Sequence, residues 1–340
     1  MLEKLREGTL VPSLDGDKSK GTLPKLREAT LYGVINVGVN LYEVAHKRKA
    51  LKGMDRAKNP AREAKDALKK PNVRRSRIPL SKLPAAWRAA DQLVSPWWRD
   101  MFYCFVLTGL RRNLMVEMQF TDIDWKAGVY VIPMYREGTK RRREKEGADP
   151  PPIYLPLSRR VLGILQARRR FAPNPDGPVW YSPRPTRGKA AKKQTDEKRP
   201  AVLTDARASW SLIADQIDLR FTPQDLRRTF ANLGAASKGE VMAVSLLMLH
   251  SGQTLAKATG IPEITVDYFG TPEAQDKMRF AAEAIVELVD KLLAMEDAEL
   301  AKVREPQLPQ YIEEVLKAEE VESSDGELDI GEEDSADYEK

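Results

Sequence analysis

The sequence predicts a mainly α protein with one small antiparallel β-sheet, an α+β class, arranged as two parts joined by a basic linker. Three observations lead there. Apolar residues recur at helical spacing over most of the chain, as in residues 28–53 with Leu31, Val34, Val37, Leu41 and Val44. Only two short stretches, residues 128–133 and 152–156, read as strands, and they flank a hairpin-like basic tip. Proline and charge punctuate the chain at 59–78, a stretch with few apolar residues.

The elements follow in order. Residues 1–27 are polar and read as irregular. Residues 28–53 read as a helix that ends in a basic cluster and Gly53, a stop signal. Residues 1–58 form a first region, 59–78 the basic linker, and 79–300 the main body. That body opens with helices over 81–93 and 96–118, interrupted where Gly109 breaks the apolar run MFYCFVLTGL. The two strands come next, followed by a helix over 158–170. Residues 182–200 have no apolar side chain larger than alanine and read as a loop. In TPQDLRRTF, residues 222–230, Thr222 is a helix cap, Pro223 suits the first turn, and Asp225 complements the helix dipole. A long helix over about 273–297 places Phe280, Ile285, Val289 and Leu292 on one side. Residues 301–340 read as an acidic tail, disordered from Tyr311 on.

Composition bounds the chemistry. The 340 residues carry a formal charge of +6, but residues 311–340 hold 13 Asp and Glu against 2 Lys, a net −11. The rest therefore carries +17, which points to a polyanionic partner, nucleic acid first. One cysteine, Cys104, excludes a disulfide framework and fits a reducing, cytoplasmic setting. The two histidines, His46 and His250, are far apart, so no common zinc ligand set is expected; composition leaves a carboxylate-held Mg²⁺ open, and the chemistry expected below calls for no metal or cofactor. No apolar run is long enough to span a membrane, the N-terminus lacks a signal-peptide apolar region, and no GxxxxGK[ST] motif is present.

Three blocks carry the chemistry: TGLRRNLMVEMQFTDIDW from Thr108, TPQDLRRTFANLG from Thr222, and LMLHSGQ through ITVDYFG, ending at Gly270. A strand, a basic tip and a strand lie between the first two. In this order the blocks resemble the tyrosine recombinase (phage integrase) family over residues 28–295. The resemblance implies that family's catalytic domain, preceded by a short helical remnant of its core-binding domain. It implies Arg111 and Arg227 as the two phosphate-binding arginines, Lys140 as the hairpin lysine, His250 in the third block and Tyr268 as nucleophile. Gln224 stands where the family usually has histidine, so it can donate a hydrogen bond there but cannot titrate. Leu114 stands where an acidic residue often follows the first arginine. His250 and Tyr268 are 18 residues apart, roughly twice the family's common spacing.

These residue types suit that chemistry. Two guanidiniums neutralise charge building on the non-bridging oxygens of a phosphodiester and stay charged at any physiological pH. A tyrosine that attacks phosphorus conserves the bond for rejoining, and a lysine can protonate the leaving 5′-hydroxyl. Arg112, Arg141, Arg142, Arg228, Arg74 and Arg75 are expected to contact the DNA backbone. The resemblance implies double-stranded DNA as partner and a homo-tetramer on DNA, coupled through the helix after Tyr268. Two other readings share these residues. A type IB topoisomerase would relax DNA with the same Arg, Lys and Tyr chemistry. A non-catalytic DNA-binding descendant would keep the fold, and Gln224 and Leu114 are its best support.

Overall fold

A computed structural model describes residues 28–48, 59–68, 76–132, 152–181, 206–249, 271–310, 312, 313 and 316. The chain divides into two compact units, residues 1–74 with 317–340, and residues 75–316. The architecture is mainly α with one three-stranded antiparallel sheet, the class the sequence predicts.

In the first unit, α1 (Glu28–Lys47) packs on α2 (Pro60–Asp66). Asn59 caps α2 by accepting from the Ala61 N–H at 3.0 Å, and its amide donates to the Val39 carbonyl at 3.3 Å. Leu31, Ile35 and Leu68 form a small core, with Tyr32, Ala61 and Ala64 packed against it. The expected apolar face is corrected here. Leu31 is buried, but Val34, Val37, Leu41 and Val44 are 45–65% exposed. α1 carries two apolar stripes, and the one that closes on α2 is Leu31, Ile35 and Val39. Within the stretch expected as linker, Pro60–Asp66 form α2.

The second unit is built around α4 (Pro96–Thr108), which is buried on all sides from Met101 onwards. An evenly apolar helix belongs at the centre of a body. Gly109 ends it in the left-handed conformation, φ +60°. The stretch over 96–118 divides where the sequence suggests: α4 stops here, and α5 (Arg112–Val116) starts after a corner. Preceding them, α3 (Leu83–Asp91) stacks Trp87 on Tyr103, with ring centroids 4.0 Å apart. Burial and a hydrogen bond to Asp91 push the Tyr103 hydroxyl far above its ordinary range.

The sheet runs β1 (Ile123–Asp124), β2 (Val129–Ile132), β3 (Ile153–Pro156), with Tyr130 opposite both Ile123 and Leu155. β1 is absent from the sequence reading; two residues carry no alternation to detect. Then come α6 (Arg159–Arg170), α7 (Arg207–Gln216), α8 (Pro223–Ala236), α9 (Val241–Leu247), α10 (Pro272–Ala294) and α11 (Asp297–Leu300). α8 lies against α4, and α10 packs on α8, α9 and β3.

Two further expectations change. α10 buries Ala274, Met278, Ala281, Ile285, Val289 and Leu292 within its own unit. Phe280 is not on that buried face and is 59% exposed. The C-terminal stretch is not free from Tyr311 on: Leu300, Ile312 and Leu316 are buried in the main core. Residues 182–200 and 317–340 lie outside the described residues.

Candidate functional site

The arginine-bearing helix α8 starts with a reciprocal cap. Thr222 accepts from the Asp225 N–H, and the Asp225 carboxylate accepts from the Thr222 N–H at 2.8 Å. Pro223 occupies the first turn, as the sequence suggests. This cap sets where the helix begins and thereby which residues turn inward.

Arg227 turns fully inward, with no exposed surface. Its Nη1 donates to the Gly109 carbonyl at 2.6 Å, and its Nη2 donates to the Met248 carbonyl at 2.5 Å. Gly109 is the corner of the TGLRR block, two residues before Arg111. Met248 ends α9, two residues before His250. One guanidinium thus joins the three sequence blocks. Arg111 sits at the N-cap of α5, partly buried, at the start of the turn that Arg227 holds.

The packing around that junction leaves no slack. A Cβ on Gly109 would meet the Phe230 ring at 2.4 Å, and one on Gly234 would meet Val244 at 2.4 Å. The first glycine also needs its positive φ. Glycine therefore allows α4 and α9 to close on α8 at the level of Arg227. Leu249 follows Met248 with φ +55°, an uncommon conformation for a side chain of this size.

Arg228 differs from expectation. It is 6% exposed, and its Nη1 lies 3.1 Å from Asp225, which is also buried. Adjacent helical residues point about 100° apart, but here both directions lead into the body, because α8 is covered on most of its circumference. Arg228 as placed serves the fold and presents no exposed guanidinium to a flanking phosphate. Arg112 is exposed, with a long contact of 3.5 Å to Asn113. Gln224 is partly buried one turn before Arg227, on the same face. Leu114 is a core residue whose carbonyl accepts from the Tyr130 hydroxyl at 3.1 Å.

Lys140, Arg141, Arg142, His250, Tyr268, Arg74 and Arg75 lie outside the described residues. Of the twelve site residues expected from sequence, the structure therefore places Arg111, Arg112, Gln224, Arg227 and Arg228, and Arg227 bonds the carbonyl two residues before Arg111.

The chain is similar to a phage integrase of known structure. That protein, an integrase from mycobacterium phage Brujita, shares 14% identity, with 83% of this chain and 79% of that one covered and a TM-score of 0.40. This is a loose likeness of chain path, and no residue role is transferred from it. No family model matches the sequence, and no curated protein matches it.

A further buried arginine, Arg168, serves the fold. Arg168 closes the end of α6: its Nε and Nη2 donate to the Val179 carbonyl, and Nη1 lies 3.5 Å from Asp100. Trp180, Tyr181 and Trp97 surround it. Burial lowers its pKa, and Asp100 opposes that shift. In sequence it is one of three consecutive arginines, and nothing there separates it from its exposed neighbour Arg170. Among the described residues, no group of three or more His, Cys, Asp or Glu is placed to hold a metal, and no helix is long and apolar enough to cross a membrane.

Proposed function

We propose that this chain is a site-specific DNA recombinase of the integrase type. Tyr268 attacks a DNA phosphorus, the phosphotyrosine bond forms as the bond to the 5′-oxygen breaks, and Lys140 supplies the proton that the leaving oxygen takes up. A free 5′-hydroxyl from a second strand then reverses the step. Arg111 and Arg227 neutralise the phosphate, Gln224 donates a hydrogen bond, and His250 helps position an oxygen or move a proton.

The observation that carries this reading is the Arg227 junction. Its hydrogen bonds to Gly109 and Met248 draw together three blocks dispersed over the sequence, next to Arg111 and the approach to His250. That convergence supports a phosphate site built from the three blocks. The basic charge of residues 1–310 supports DNA as the partner.

One observation favours a second reading. Arg227 is wholly buried and bonds backbone carbonyls. A non-catalytic DNA-binding descendant could retain it purely as a structural staple.

A nicked suicide substrate separates the two. The recombinase forms a covalent protein–DNA adduct that disappears in Tyr268→Phe. DNA binding with no adduct, over a range of sites and salts, would leave the descendant. Adducts with plasmid relaxation but no strand exchange would mark a topoisomerase.

A further inference from the structure

The segment entering the second unit and the segment leaving it meet on the back of α8. Thr229 and Asn232 follow Arg227 by two and five residues, about 200° and 140° around the helix axis, and so lie on the side opposite it. Both are fully buried. Thr229 Oγ1 accepts from the Ile78 N–H at 2.9 Å. The Asn232 amide donates to Glu305 Oε2. The other Glu305 oxygen, Oε1, accepts from the Leu80 N–H at 2.6 Å, and Arg77 Nε lies 3.6 Å from Oε2. A single carboxylate therefore joins the entry segment, the arginine-bearing helix and the C-terminal segment. Beyond it, Ile312 and Leu316 are buried in the core and anchor that segment as a strap.

We propose that Glu305 is a positioning residue of the reaction site, a latch that sets α8 and hence Arg227. The proposal rests on the reading of Arg111 and Arg227 as phosphate ligands. α8 is gripped on its front by Gly109 and Met248 and on its back by Ile78 and Glu305. A helix held on opposite sides cannot roll or slide without breaking one grip. Freed on one side, packed helices shift by about 1–2 Å. A displacement of about 1 Å at a reacting group costs as much as a hundredfold in rate. DNA affinity is spread over many phosphate contacts and does not depend on that alignment.

The test uses the full chain and a nicked suicide substrate at saturating concentration. Glu305→Gln keeps the size of the side chain and one acceptor for Leu80, but turns its amide towards the Asn232 amide or loses the Leu80 bond. Asn232→Asp combined with Glu305→Gln restores a donor–acceptor pair with reversed polarity. The expected result is adduct formation slowed by about tenfold or more in Glu305→Gln, DNA Kd within about twofold of the parent, and most of the rate recovered in the double variant. Backbone amides of residues 226–234 should exchange about tenfold faster in the single variant and recover in the double. A parent rate in Glu305→Gln, or rate and affinity falling together, overturns the proposal. If the parent forms no adduct, the recombinase reading fails by itself. The latch then stands or falls on amide exchange: faster in Glu305→Gln and restored in the double supports it, and unchanged exchange overturns it.

Discussion

Replacing Arg227 with methionine keeps the aliphatic stem and removes the guanidinium. The Gly109 and Met248 carbonyls then lose donors that stand at 2.6 and 2.5 Å. A hydrogen bond to a charged group contributes about 1.5–3 kcal/mol, so two contribute about 3–6 kcal/mol. An apolar replacement recovers part of this, about 1–2 kcal/mol, because the buried charge no longer lacks water. The net loss should be about 2–4 kcal/mol, a large share of the ~5–15 kcal/mol that holds a domain together. For a unit of this size that corresponds to a Tm lower by roughly 4–16 °C. Arg227→Lys should fall between parent and methionine, since one ammonium cannot match both carbonyls with the geometry of a fork. Urea denaturation without DNA, followed by tryptophan fluorescence, measures this apart from any catalysis. A loss below about 1 kcal/mol in Arg227→Met would mean the junction holds nothing together, and the convergence argument would go with it.

Gly109→Ala places a Cβ 2.4 Å from the Phe230 ring at φ +60°, so about 1–2 kcal/mol of backbone cost adds to about 1–3 kcal/mol of overpacking. Phe230→Leu in the same chain should relieve the packing part only, as seen in denaturation midpoints. Asp225→Asn leaves Arg228 buried without its ion partner and should cost about 3–5 kcal/mol. Arg228→Met added to it should recover part of that loss, because the Thr222 bonds to the carboxylate are altered in both variants, and a purely additive double variant would refute the pairing. Cys104 is buried, and desolvation raises its thiol pKa well above normal. The folded chain keeps it protonated while the unfolded chain ionises above about pH 8.5, so its contribution is complete below that pH and is lost as pH rises. Stability should fall by about 1–2 kcal/mol between pH 8 and 10, and Cys104→Ala should flatten that decline. Removing residues 317–340 takes away 11 acidic residues and 2 lysines but spares Ile312 and Leu316. If that acidic stretch competes with DNA for the basic body, non-specific DNA affinity should rise on its removal, and unchanged affinity in a filter-binding assay would count against the competition.

What was legible in the sequence was what local chemistry decides. The Thr222–Asp225 cap, the stop at Gly109, the strands around residues 129–132 and 153–156 and the helix over 159–170 all follow from residue types at short range. The order of the basic blocks is likewise a property of the string. Periodicity marks an apolar stripe but not its partner, which is why α1 buries Leu31, Ile35 and Val39 and leaves Val34 and Leu41 exposed. The same gap explains α10, whose apolar face closes on its own unit.

By itself the sequence determined the fold class, the helix ends that rest on caps and glycine, and which arginine types are available for a phosphate. Tertiary structure alone decided which of them are buried and what they bond. Arg227 and Arg228 are neighbours with the same side chain, yet one joins Gly109 to Met248 and the other pairs with Asp225. Glu305 is one acid among 50 until Leu80 and Asn232 converge on it. Those contacts bridge residues far apart in the chain, and no short-range rule of spacing or propensity contains the distance between them.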